Sequence, residues 1–103
     1  MNQSEFFNEA DVALKNHLSF ARFVSRTEFL FDTPAYADAW FEAEIVNAVA
    51  LGDWENQGSP ADWNDTWSKV FMNDATEVIS LLKIAVKAAF ELRAPENPGA
   101  SRQ

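Results

Sequence analysis

Residues 32–52 read DTPAYADAWFEAEIVNAVALG, and this stretch decides the fold. Asp32 or Thr33 can cap a helix whose first position is taken by Pro34. Gly52 is a typical C-terminal stop signal. Thirteen of the seventeen residues between Pro34 and Gly52 are apolar. A helix this apolar around its circumference is buried on most sides or contacts a second chain, so the stretch predicts the central helix of a helical protein.

The rest of the chain also favours helices over strands, because it has only three glycines and no sustained alternation of apolar and polar residues. A first helix is predicted from an N-cap at Ser4, with apolar residues at helical spacing as far as Val24, and residues 25–31 either extend it or form a turn. A third is predicted to begin with Ser59 as its N-cap, and a fourth with a capping box at Asp74, ending near Arg93. Apolar spacing continues across the junction between these two, so one long kinked helix remains an alternative.

The predicted fold is therefore an all-α, compact bundle of about four helices. A single domain is assigned to residues 1–94, since a chain of 103 residues can bury roughly two-thirds of its unfolded surface. Residues 53–59 are the one obvious loop, and the tail at 95–103 is expected to be flexible. A homodimer is an additional hypothesis, because it would cover the broad apolar circumference of the second and fourth predicted helices.

Negative charge is concentrated in one segment. No lysine or arginine occurs between Arg26 and Lys69, whereas residues 28–65 contain nine of the sixteen acidic residues. The remainder of the chain holds eight basic and seven acidic residues, so the formal charge of −8 is a property of this segment. A polyanionic surface is repelled by nucleic acid and by anionic lipid. The expected partner is therefore a basic protein surface, with no direct binding to nucleic acid or membrane.

Two interpretations of the acidic segment stay open. In the first, Asp32 and Asp62 cap helices, and the other carboxylates are neutralised by cations elsewhere in the chain. The candidate cations for that role are Lys15, Arg22, Arg26, Lys83 and Lys87. In the second, the carboxylates are exposed, and those one helical turn apart lie about 6 Å from each other. Such a row can stand where the phosphates of a nucleic acid would bind.

The second interpretation leads to the main functional hypothesis, a non-catalytic protein that inhibits a basic, nucleic-acid-handling partner as a nucleic-acid mimic or immunity-type inhibitor. Compact, acidic, cysteine-free helical proteins are frequent among phage-encoded inhibitors and immunity proteins, an analogy of class only. Trp54, between two carboxylates, is either the apolar anchor for the partner or a plug over helix ends. The predicted partner-binding residues are Asp38, Glu42, Glu44, Asp53, Trp54, Glu55 and Asp65.

The alternative function is a structural or accessory subunit, or an assembly factor, that associates through the apolar faces of the second and fourth predicted helices. On this hypothesis, replacing Val46 or Leu82 by aspartate disrupts association. It predicts binding that is insensitive to salt, whereas the inhibitor hypothesis predicts binding that weakens steeply as salt rises.

Catalysis, cofactors and metals are not expected. There is no cysteine, and the single histidine, His17, is expected at the edge of the core. Residues 53–58 resemble the start of a calcium loop, but the later ligand positions do not fit one. No signal peptide or membrane-length apolar run occurs, so a cytoplasmic location is predicted.

Overall fold

The computed structural model describes residues 1–93, with side chains as far as Leu92. Within this range every regular element is a helix and there is no strand, which confirms the predicted all-α bundle. A π-helical turn (Trp67–Phe71) joins the last two of five α-helices. These are α1 (Gln3–Ala13), α2 (His17–Thr27), α3 (Pro34–Asn56), α4 (Asn64–Thr66) and α5 (Met72–Arg93). The predicted tail at 95–103 lies outside the described residues.

The last three elements form one uninterrupted helical rod, which agrees with the alternative of a single long helix. In the π-helical turn, the backbone N–H of Met72 donates to the carbonyl oxygen of Trp67, five residues earlier. Trp67 and Phe71 are both buried there, with ring centroids 6.2 Å apart. Asp74 lies inside α5, so the predicted capping box does not begin a separate helix.

The predicted first helix is wrong in two respects, because it is two helices and because it begins earlier than predicted. The chain leaves helical geometry after the C-cap residue Leu14, and the side chain of Asn16 then caps α2. The N-cap of α1 is Asn2 rather than Ser4, and Asn2 forms a reciprocal capping box with Glu5. The apolar spacing continues across the break, so the spacing alone could not locate the turn.

α3 begins as predicted but ends later. The Thr33 side chain accepts a hydrogen bond of 3.1 Å from the backbone N–H of Tyr36, and Pro34 is the first helical residue. Gly52 does not stop the helix, which continues to Asn56. A single glycine lowers helix stability by about 1 kcal/mol without ending the helix when the next turn is held by other contacts.

The connection from α3 to α4 covers residues 57–63 instead of the predicted 53–59. Gly58 has φ +89°, a left-handed conformation that suits glycine at the end of a helix. Ser59 has φ +54°, so it does not adopt the extended conformation of an N-cap, and α4 starts at Asn64.

The four rods enclose a core of aromatic and small residues. α1 packs on α2, α2 on α3, α3 on α5, and α5 on α1. Phe6 and Phe23 meet edge to face at 5.3 Å, and Phe31 contacts both Tyr36 and Phe90 in the same manner. Buried alanines are the other main component. They are Ala10, Ala13, Ala39, Ala43, Ala50, Ala75, Ala85 and Ala89.

Among the helices described here, none combines the length and the apolar character that crossing a membrane requires.

Candidate interaction surface on helix α3

The side of α3 that faces away from the core carries large apolar side chains. Phe41, Ile45 and Val49 follow one another at intervals of four residues and are 58%, 42% and 58% exposed. Residues four apart lie on the same side of a helix, so these three form a continuous stripe. We call this stripe, with Ala48 beside it, the α3 outer face.

The buried side of α3 consists mainly of small residues. Ala39, Ala43 and Ala50 are buried there together with Tyr36. The small side chains allow the neighbouring helices to approach closely, while Trp40, Val46 and Trp54 pack at the margin of the core. The large side chains of Phe41, Ile45 and Val49 therefore remain exposed when the monomer folds. Singly scattered exposed apolar residues are ordinary, whereas an aligned stripe indicates an interaction site.

Carboxylates border the α3 outer face along both edges. At about 100° per residue, Asp38 and Glu42 lie to one side of the stripe, whereas Asp53, four residues after Val49, continues the stripe itself towards the end of the helix. Glu44 and Glu55 lie along the opposite edge. Six of the seven predicted partner-binding residues therefore lie on one helix, and the five carboxylates among them are arranged around the apolar stripe.

Most of these carboxylates have no cation beside them. Arg26 pairs with Glu9, and Lys83 pairs with Asp11 at 2.6 Å, so neither contacts the acidic segment. Within the described side chains, the five cations proposed as neutralising partners form no ion pair with any carboxylate of residues 28–65. Among the described side chains, neutralisation by direct ion pairs with these five cations is therefore not observed, and Asp65 is paired instead with Lys69.

Hydrogen bonds within the acidic segment are few. The Asn47 amide donates to Glu44 at 3.5 Å, and the Gln57 amide donates to Asp53 at 2.8 Å. Asp38, Glu42 and Glu55 form no hydrogen bond or ion pair with any described side chain, and all three are exposed. These three carboxylates are therefore available to an external cation.

Two predicted residues lie apart from this arrangement. The indole N–H of Trp54 donates to the Pro60 carbonyl oxygen at 2.9 Å, and its ring packs against the core. Trp54 therefore covers the end of α3, as in the alternative in which it is a plug over helix ends. Asp65 lies on α4 and pairs with Lys69 at 3.1 Å, and both side chains are largely exposed. The aromatic residue that does lie among the α3 carboxylates is Phe41.

His17 lies at the edge of the core, as expected. Its Nε2 donates to the Asn47 side-chain oxygen at 3.2 Å, and its ring lies 5.5 Å from Trp63 and 5.7 Å from Trp67. Burial lowers the pKa of His17 below 6.5, and the hydrogen bond with Asn47 opposes that shift in part. This residue borders an open cleft of about 490 Å³ between α2 and the 57–63 connection, lined mostly by apolar side chains including Trp54.

A second, shallower groove lies between α2 and α3. It measures about 570 Å³, and Glu28, Phe41 and Glu44 are among the residues that line it. It therefore adjoins the α3 outer face and adds a carboxylate from the segment before α3. Within the described residues, no three His, Asp or Glu side chains converge on a point where a metal ion could bind.

The apolar stripe was not among the predicted site residues, although its signal was present in the sequence. A helix with thirteen apolar residues in seventeen was expected to be buried or to contact a second chain. That pattern did not reveal which side faces outwards, because α3 is apolar on all sides.

Comparison with protein-family models, with curated proteins and with solved structures gave no significant match. Function is therefore inferred from the helical fold and from the surface of α3.

Proposed function

We propose that this protein is a non-catalytic inhibitor that binds a basic surface of a nucleic-acid-handling protein. The observation that supports this most directly is the set of exposed, cation-free carboxylates on α3, at Asp38, Glu42 and Glu55. In this proposal they occupy the partner's phosphate-binding positions and prevent nucleic acid from binding there. The protein itself binds no nucleic acid, and it acts in the cytoplasm, where its partner meets nucleic acid.

Charge and apolar contact have separate roles in this function. Carboxylates steer a basic partner over a range set by the Debye length, roughly 10 Å at 0.1 M salt. The apolar stripe beside them then excludes water and slows dissociation, because buried aromatic and aliphatic anchors contribute most of the affinity of an interface. Phe41 supplies the aromatic contact that was expected of Trp54.

An affinity capture experiment tests the proposal. The immobilised protein is incubated with an extract of its source cells at about 50 mM and about 500 mM salt, and retained proteins are challenged with duplex DNA. We expect basic nucleic-acid-binding proteins to be retained at low salt and released both by high salt and by DNA. Retention that persists at high salt and in excess DNA would contradict the proposal.

A matched pair of variants locates the binding surface. Asp38→Lys with Glu42→Lys reverses two charges on α3, whereas Asp74→Lys with Glu77→Lys reverses two exposed charges on α5. Both variants change the net charge equally, so non-specific electrostatics affects them alike. We expect the α3 variant to lose the captured protein and the α5 variant to retain most of it, with unchanged helicity in both. An equal loss in both variants would show that total charge, not the α3 surface, determines binding.

The alternative function, an accessory subunit or assembly factor, is supported by a second apolar stripe on α5. Ile84 and Leu92 are 67% and 77% exposed, and Leu81 lies beside Ile84 on the same side. Lys87 and Glu91 border this stripe with opposite charges, so two copies can associate there without repulsion between like charges.

Val46 and Leu82 are unsuitable positions for testing self-association. Leu82 is fully buried, and Val46 packs against the core, so an aspartate at either position would unfold the protein. Ile84→Asp is the appropriate variant, and light scattering gives the mass in solution. A dimer that becomes a monomer in Ile84→Asp supports assembly through α5. A wild-type monomer over a wide concentration range excludes it.

A further inference from the structure

The α3 outer face has the form of a docking site for another helix. Phe41, Ile45 and Val49 span eight residues, about 12 Å at 1.5 Å per residue. The carboxylates along its edges extend from Asp38 to Glu55, about 25 Å. An apolar stripe with carboxylates on both sides is complementary to an amphipathic helix that carries its own apolar stripe between two basic rows.

We propose that the α3 outer face binds an amphipathic α-helix of the partner whose apolar side chains are flanked by lysine or arginine. This inference rests on the proposed function and specifies the partner's chemistry. The apolar residues of the partner helix pack on Phe41, Ile45 and Val49. Its basic side chains pair with Asp38 and Glu42 along one edge and with the acidic residues of the other edge.

Charge excludes a second copy of this chain from the same position. α3 contains five acidic residues and no lysine or arginine. Packing two α3 outer faces together would bring ten carboxylates to one interface with no cation on either α3. Like charges at helix contacts are destabilising, so a basic partner is favoured over self-association. The α5 stripe, with its mixed charges, does not share this constraint.

The groove between α2 and α3 strengthens the complementarity on one side. Glu28 and Glu44 line it from different elements, and the Phe41 ring lines it as well. A long basic side chain from the docked helix can place its methylene groups against the ring and its charged end near the two carboxylates. This position favours lysine or arginine over any shorter polar residue.

Three synthetic peptides of about 18 residues, five helical turns, test the inference by calorimetry at about 50 mM salt. The first is an amphipathic helix of leucine and lysine. The second has the same composition in scrambled order, and the third has glutamate in place of lysine. We expect the first peptide to bind at least about tenfold tighter, roughly 1.4 kcal/mol, than the second, and the third not to bind.

Variants on two helices locate the contact. Phe41→Gln with Ile45→Gln removes the α3 stripe, and Leu81→Gln with Ile84→Gln removes the α5 stripe. All four positions are exposed and glutamine is a good helix former, so circular dichroism should be unchanged in both variants. We expect the α3 variant to weaken binding of the amphipathic lysine peptide at least about tenfold, again roughly 1.4 kcal/mol, and the α5 variant to leave it unchanged. The reverse result would overturn the inference.

The outcomes separate this inference from the proposed function. If the scrambled lysine peptide binds as tightly as the amphipathic one, and charge reversal at Asp38 and Glu42 still abolishes binding, the helix-docking inference fails while the basic-partner function stands. If neither lysine peptide binds at low salt, both fail.

Discussion

The indole N–H of Trp67 donates a hydrogen bond of 3.1 Å to the carbonyl oxygen of Leu14, fifty-three residues earlier in the chain. Leu14 is the C-cap of α1, where the last carbonyl groups of the helix have no partner within it. Trp67, on the π-helical turn, therefore supplies a hydrogen-bond donor to a carbonyl oxygen at the end of α1. This contact joins the two halves of the chain at the point where the predicted first helix breaks.

Trp67→Phe tests the importance of that contact. Phenylalanine keeps an aromatic ring in the core but cannot donate to the Leu14 carbonyl, which loses its partner. We expect the free energy of unfolding to fall by about 1–3 kcal/mol. Urea denaturation followed by circular dichroism measures the change, and hydrogen exchange should show weaker protection in α1. An unchanged midpoint with unchanged exchange would show that α1 ends without help from Trp67.

The glycines in and after α3 should respond in opposite directions to alanine. At Gly52 a Cβ atom meets nothing within 4 Å, so Gly52→Ala should stabilise the protein by about 0.5–1 kcal/mol through higher helix propensity. Gly58 has φ +89°, so Gly58→Ala should destabilise by about 1–2 kcal/mol. Thermal denaturation of both variants checks the prediction. A shift of the same sign in both would contradict the assignment of the helix end after Asn56.

Substitutions at two alanines of α3 test which side of the helix faces the core. Ala50 is buried, whereas Ala48 is exposed, on the same helix two residues away. Ala50→Leu overfills the contact with neighbouring helices and should destabilise by about 1–3 kcal/mol. Ala48→Leu extends the α3 outer face and should change stability by less than about 0.5 kcal/mol. Similar losses in both variants would mean that the buried and exposed sides of α3 are assigned incorrectly.

His17 makes stability depend on pH. Burial lowers the pKa of His17 in the folded protein below its ordinary 6.5, so the unfolded chain binds a proton at a higher pH than the folded protein does. The free energy of unfolding therefore falls as pH drops through about 6.5 and levels off below the folded pKa. His17→Gln keeps an N–H for Asn47 but does not titrate. The variant should lose less stability than the wild type between about pH 7.5 and about pH 5. Parallel curves for the two proteins would contradict the lowered pKa.

Local signals in the sequence predicted the start of a helix where the residues of one turn determine it. Thr33 and Pro34 begin α3 as expected, because a cap and a first-turn proline act within four residues. The end of α1 at Leu14 is contacted by Trp67, fifty-three residues later in the chain. A contact between residues so far apart has no local signature in the sequence.

The acidic rows of the α3 surface could be predicted because they follow from helical spacing alone. The apolar stripe between them could not be assigned, because α3 has apolar residues on every side. Its orientation is set by close packing through the small residues Ala39, Ala43 and Ala50, which only the folded structure reveals. Trp54 is predicted to lie in the loop at 53–59, either as a partner anchor or as a plug over helix ends, but α3 continues through it.

We propose that the exposed carboxylates on α3 bind a basic protein. The most direct test is the affinity of the captured partner for the wild type and for the variant Asp38→Lys with Glu42→Lys, measured at several salt concentrations from about 50 to about 300 mM. We predict that wild-type affinity falls at least about tenfold over that range, and that the variant binds at least about a hundredfold more weakly at the lowest salt. An affinity that is independent of salt and equal in both proteins would contradict the account.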